Sequence, residues 1–316
     1  MRAARQLDAL ITQIRADHGD PDLKVDVVAH SMGGLILRYY LRYGTVDVLD
    51  DNDLPINYHG VSRVRSAILL GTPNLGAVSA VHGFIEGYRV GLRRVPPEVT
   101  ASMPSAYQLF PHPLQDWLIT ADGRPLKRDL FDVNIWRAFQ WSIFDPRVQR
   151  TLASRHADTQ AARADLKLRK RYFEHRLERA RRFVWSLTRQ LDDTPERLVV
   201  MGGNCTLTPA RLLVEEINDE SVVRLWPQQV KTGRDPVRIE AAMLEPGDGV
   251  VTKASLLGRS QLDPSRPRHE YAVFPLASSL FLCESHGRLT GNPSFQDNLL
   301  DTLLSHERLF DQRTLP

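Results

Sequence analysis

The chain has 316 residues, 42% of them hydrophobic and 25% charged, with a formal net charge of +3. That balance is ordinary for a soluble globular protein long enough to bury one elaborated domain or two smaller ones. A charge this small gives no argument for a nucleic-acid partner, and two distant cysteines, Cys205 and Cys283, have no metal-ligand spacing and point to a reduced compartment without a disulfide framework.

The first predicted element is a helix over residues 3–17, with Leu7, Leu10, Ile11 and Ile14 on one face. Basic residues lead it, but no unbroken apolar run follows, so it reads as an amphipathic helix rather than a secretory leader. No segment of the chain is long and apolar enough to span a bilayer. These features together place the protein in the cytoplasm.

Gly19, Asp20 and Pro21 then turn the chain into a β-branched strand at 24–29. A serine follows, wedged between small residues in AHSMGG (29–34), and a helical pattern starts at once. Strand, sharp turn, helix with Ser31 at the apex is the arrangement that strains a backbone and pushes a hydroxyl outward. It also aims the N–H of Met32 at whatever the serine attacks, which makes Met32 the candidate oxyanion donor. The small residues Ala29, Gly33 and Gly34 let the turn close. The helix itself is apolar nearly all round, so it reads as buried, with Arg38 and Arg42 marking a wet stripe and Gly44 placed to cap its end.

Residues 64–70 (VRSAILL) form a second apolar run, as expected of a parallel strand covered on both faces. It empties into GTPNLGA (71–77). That loop lacks the Lys-Ser/Thr of a P-loop, and Pro73 removes an amide such a loop needs, so nucleotide binding is rejected.

From 78 to 192 strand signals give way to helical patches between prolines, and Trp117, Trp136, Trp141 and Trp185 all fall there. Residues 156–191 read as one long helix crowded with arginines. Its basic side is taken as a solvated face, with peripheral attraction to anionic lipid headgroups as the second reading. Strand patterns resume at 197–202, weakly at 222–226, and at 271–275 and 278–283. An amphipathic helix over 294–310 closes the pattern. The expected architecture is therefore α/β: a mostly parallel sheet built from 1–77 and 193–316, split by a helical insertion at 78–192. An insertion at the carboxyl end of a strand lands over the site as a cap, and the cap's aromatics are expected to line an acyl channel.

A serine hydroxyl needs a base, and the base needs an orienting acid. Asp248 stands between two glycines in PGDGVV, where the backbone can turn sharply and leave the carboxylate pointing inward. His286 follows the strand-like run LASSLFLC, so it occupies a loop just past a strand end. Taken singly, Asp248 fits a plain β-turn and His286 is one of ten histidines. Their joint placement in the order Ser, Asp, His carries the argument. His30 is adjacent to the serine and points away from it, so it is read as structural.

With those residues assembled, the chain resembles the lecithin:cholesterol acyltransferase-like family of α/β-hydrolases. AHSMGG resembles the family's nucleophile elbow, with Ala29 where glycine is commoner. GTPNLGA resembles its GTP-x-x-G segment and PSAYQLFP (104–111) a cap segment. GDGVV (247–251) with HGRLTGNPSFQDNLL (286–300) is similar to the acid turn and histidine loop. The resemblance implies an α/β-hydrolase fold, with Ser31 as nucleophile, Asp248 as acid and His286 as base. It implies acyl-ester chemistry on lipids, as hydrolysis or transfer to an alcohol, with no cofactor and no metal. In the family several strands precede the nucleophile strand, and a loop among them supplies a second oxyanion amide. Here one helix precedes it, so the pattern reads as a partial core with the nucleophile strand at a sheet edge. The competing reading is a truncated hydrolase-fold protein that binds lipid or a partner without turnover.

Overall fold

The computed structural model describes residues 2–50, 53–90, 93–188, 198–231, 235–258 and 276–304. The chain divides into two units, the first formed by Met1–Asn74, Ser186–Thr208 and Pro246–Pro316, the second by Leu75–Trp185 and Pro209–Glu245. The stretch 209–245, which the sequence pattern assigns to the sheet half, thus falls in the second unit.

In the first unit, helix α1 (Arg2–Asp17) leads to strand β1 (Val25–His30), helix α2 (Met32–Tyr43) and strand β2 (Val64–Leu70). Strands β3 (Leu198–Gly203) and β4 (Leu276–Leu282) and helix α3 (Pro293–Leu304) complete the set that frames the site. The sheet order is β1-β2-β3-β4 with every pairing parallel, and Ala29 lies opposite Leu69, Leu70 opposite Met201, and Leu282 opposite Gly203. Burial explains the unbroken apolar runs. Every residue of β3 is buried, and in β2 only Arg65 faces water, where it pairs with Asp26. Ile68, Leu70, Val199 and Met201 pack with Leu289 and Phe295 to form a core under α3. Among the described residues β1 is the edge of this sheet, and its Val28 is 42% exposed. The expected strand at 271–275 lies outside the described residues, as does the expected extension of the last helix beyond Leu304.

Two readings of helix faces need correction. On α1, Ala4 and Ile11 are buried, but Leu10 stands 58% exposed, one step off the covered stripe. On α2, Arg38 and Arg42 are not a wet stripe: they are 1% and 3% exposed. Backbone carbonyls and an amide replace the water. Arg38 donates to Asn74 Oδ1 at 3.0 Å and to the Leu187 carbonyl at 2.5 Å, and Arg42 donates to the Ser186 carbonyl at 3.2 Å. Gly44 does end α2, at φ 59° with its N–H on the Tyr40 carbonyl.

The cysteines also need correction. Cys205, just past β3, and Cys283, just past β4, form a disulfide with 5.0 Å between Cα atoms. Sequence separation hides the pairing because two parallel strands bring the positions side by side. The disulfide removes the ground for placing the chain in a reducing compartment. No described helix is long and apolar enough to cross a membrane.

The second unit has its own three-stranded sheet, in which Leu118–Thr120 pairs parallel to Leu212–Ile217 and the latter pairs antiparallel to Glu220–Arg224. The hairpin turns through Asn218 and Asp219, both at positive φ, which is turn chemistry visible in the sequence. Five of the aromatics form a packed cluster. Phe84, Tyr107, Phe110, Trp136 and Phe173 pack mostly edge to face within this unit, and Tyr107 and Trp136 are both fully buried. The long helix runs Thr159–Thr188.

Candidate active site

Ser31 sits between β1 and α2 at φ 54° and ψ −126°, a left-handed conformation that a residue with a side chain adopts only under constraint. Two hydrogen bonds supply the constraint. Its N–H donates to the Leu70 carbonyl at 2.8 Å, and its own carbonyl accepts from Gly34 N–H at 3.0 Å. The tight approach in the turn is at Gly34, where a Cβ would meet Thr72 Oγ1 at 2.0 Å; Gly33 has only ordinary contact with Ala29. Thr72, in the GTPNLGA loop, is fully buried. The two motifs are thus two sides of one packed joint, which sequence spacing alone does not reveal. Met32 opens α2, so its N–H lies in the first turn, where amides have no partner inside the helix.

Asp248 is 3% exposed and lies in a hairpin-like turn, with Gly249 beyond it at φ 91°. Its Oδ1 accepts from the N–H groups of Val250 at 3.0 Å and Val251 at 2.7 Å. These bonds fix the carboxylate and leave Oδ2 free to face His286 Nδ1 at 2.8 Å. The histidine loop is tied to the same residue through its backbone, His286 N–H donating to the Asp248 carbonyl at 2.9 Å. On the far side of the ring, Nε2 lies 2.9 Å from Ser31 Oγ. A carboxylate only accepts, so Nδ1 carries the proton and Nε2 presents its lone pair to the serine hydroxyl. Ser31, 255 residues before His286, thus joins His286 and Asp248 in one hydrogen-bonded series.

Three side chains support this arrangement, and two of them, Glu284 and Thr208, escaped the reading of the chain. His30 Nε2 lies 3.0 Å from the His286 carbonyl, so it touches the base loop rather than the serine. Glu284 accepts from Ser285 N–H at 2.8 Å and from Asn292 Nδ2 at 3.2 Å, bonds that hold its carboxyl below the usual range and brace the loop before His286. Thr208 Oγ1 accepts from Gly249 N–H at 2.9 Å and steadies the acid turn. Only His30 carried a signal, its place beside the nucleophile.

Residues 4–145 match the family model described as lecithin:cholesterol acyltransferase. The match covers less than half of the chain. The family is one of acyltransferase and lipase-like chemistry. The matched stretch holds the Ser31 turn, GTPNLGA and PSAYQLFP, and ends before Asp248 and His286. Among solved structures, a chain in the crystal structure of the Tle4-Tli4 complex is similar, with a TM-score of 0.50 and 19% identity. The similarity covers 78% of this chain and 53% of that one, so this chain spans about half of its length. At that identity the likeness carries the fold: α/β-hydrolase-like, around a parallel four-stranded sheet. No curated protein matches the chain.

Proposed function

We propose that this protein carries out serine-dependent acyl-ester chemistry on lipids through an acyl-enzyme on Ser31. The observation that carries the reading is the relay itself: a strained serine 2.9 Å from an imidazole whose other nitrogen is 2.8 Å from a buried, twice hydrogen-bonded carboxylate. In this mechanism Ser31 Oγ attacks the ester carbonyl while His286 Nε2 takes its proton. Asp248 holds the ring in the useful tautomer and stabilises the imidazolium. The Met32 N–H faces the oxyanion, and one such donor is worth about 10²–10³ in kcat. His286 then returns the proton to the leaving alkoxide, which departs as an alcohol. Water or an acceptor alcohol, deprotonated by the same nitrogen, attacks the acyl-serine and regenerates the hydroxyl. The likeness of residues 4–145 to the lecithin:cholesterol acyltransferase model supports a lipid as the substrate class.

The test is turnover of aryl and glycerolipid esters by wild type and Ser31→Ala, with labelling by a fluorophosphonate probe. The expected loss is about 10³-fold or more, together with loss of the label. Equal turnover by the two proteins would overturn the assignment.

A further inference from the structure

The loop that carries His286 is anchored on two sides, and one anchor is a bond that chemistry can undo. Strand β4 ends at Leu282 opposite Gly203, the last residue of β3. Just beyond these ends, Cys283 and Cys205 are joined by the disulfide. Past Cys283 the chain reaches His286 within three residues; past Cys205 the next residue, Thr206, forms a β-bridge with Asp248. The disulfide therefore closes a frame whose two arms end at the imidazole and at the carboxylate. The frame has no slack. A Cβ at Gly203 would meet the Glu284 carbonyl at 2.0 Å and Asp248 Cβ at 2.9 Å, and Asn204 N–H donates to the Leu282 carbonyl at 3.2 Å. Both cysteines are exposed to solvent, so a dissolved reductant reaches them.

We propose that the Cys205–Cys283 disulfide is a positioning element for His286, and that the serine site turns over at full rate only while it is oxidised. The inference rests on the reading of Ser31, Asp248 and His286 given above. Reduction by a dithiol breaks the S–S bond; each protein sulfur gains one electron and one proton, and the dithiol leaves as its own cyclic disulfide. The arm from 283 to 286 then keeps its hydrogen bonds to Asp248 but loses its covalent stop. Misplacing a catalytic group by about 1 Å costs roughly 10²-fold in rate. The disulfide lies on the side of the base and acid, so its opening slows the acylation step and leaves ester binding in place.

The experiment uses the full chain, purified oxidised and then titrated with dithiothreitol. Free thiols, kcat and KM on a glycerolipid ester, fluorophosphonate labelling of Ser31 and the melting curve are recorded at each step. As two thiols appear, kcat and the labelling rate are expected to fall roughly ten- to a hundredfold with KM little changed. Reoxidation with oxidised glutathione restores both rates. The double variant Cys205→Ser/Cys283→Ser is expected at the reduced level and indifferent to dithiothreitol. All rates are compared at a temperature where melting curves show both forms folded, so loss of fold does not imitate loss of position. Thiols appearing with no change in kcat or labelling would overturn the proposal, as would a double variant that still responds to the reductant. Failure of the oxidised wild type to label at Ser31 is a separate outcome: it removes the triad reading, and the proposal with it, before any reductant is added.

Discussion

His30 directs its Nε2 at the backbone carbonyl of His286, 3.0 Å away, and the two imidazole rings lie 4.8 Å apart at a tilt of 41°. A carbonyl only accepts, so Nε2 of His30 is the protonated nitrogen. The residue before the nucleophile thus holds the loop of the base, which fits the reading of His30 as structural and gives it a specific task. His30→Ala is expected to lower kcat about three- to tenfold, the worth of one hydrogen bond of about 1 kcal/mol. His30→Gln, which keeps a donor, should recover part of the loss, and His30→Phe, which keeps only the ring contact, should not. Phe matching wild type in kcat would show that the bond has no catalytic consequence.

Asp248→Asn keeps the size of the side chain and an oxygen for the Val250 and Val251 amides. The amide group then faces His286 Nδ1 as a donor and favours the tautomer that cannot accept from Ser31. A loss of about 10⁴ in kcat is expected on an aryl ester, with the fold intact by circular dichroism. Turnover close to wild type would remove Asp248 from the relay.

Arg38 is buried among fixed acceptors, with Asn74 Oδ1 at 3.0 Å and the Leu187 carbonyl at 2.5 Å, while Asn74 Nδ2 in turn donates to the Leu256 carbonyl at 2.6 Å. Arg38→Ala leaves those acceptors buried and unpaired and is expected to cost about 3 kcal/mol or more in urea denaturation. Arg38→Lys should recover little, because a point cation on a flexible stem cannot reach both acceptors at once. An Ala variant as stable as wild type would show that the network contributes nothing net.

His82, in the second unit, is buried edge-on to Trp226 at 4.5 Å, and neither ring nitrogen has a hydrogen-bond partner among the described residues. Burial pushes its pKa down from 6.5 to about 4. The unfolded chain therefore takes up this proton near pH 6.5, and the folded chain only near 4. Protons favour the unfolded state throughout that window. Stability is untouched above pH 6.5 and falls as pH drops to 4, by up to about 3 kcal/mol. The difference in unfolding free energy between wild type and His82→Phe should track that slope. Parallel curves for the two proteins from pH 7 to 4 would contradict it.

The sequence carried the elements that local physics dictates. A β-branched run, a serine among small residues and an apolar helix can fold only as strand, turn and helix, so Ser31 was legible at its apex. Asp248 and His286 were legible too, because a glycine-flanked carboxylate and a histidine just past a strand both announce loops at strand ends. Burial in a helix was less legible: Arg38 and Arg42 read as solvent-facing because charge predicts water, and only the carbonyls supplied by Ser186 and Leu187 made their burial tolerable.

What the chain order could not state was which distant loops become neighbours. The parallel pairing of β3 with β4 sets Cys205 beside Cys283 across 78 residues of sequence. The His286 loop, just past β4, reaches Ser31 Oγ with Nε2 and Asp248 with Nδ1. The sheet also brings Gly34 against Thr72, fixing the serine turn from a motif forty residues away. Residue type set the chemistry each group can perform, since that is a property of the side chain. Strand register decided which groups meet, because a position fixed by pairing across the sheet has no counterpart in local sequence.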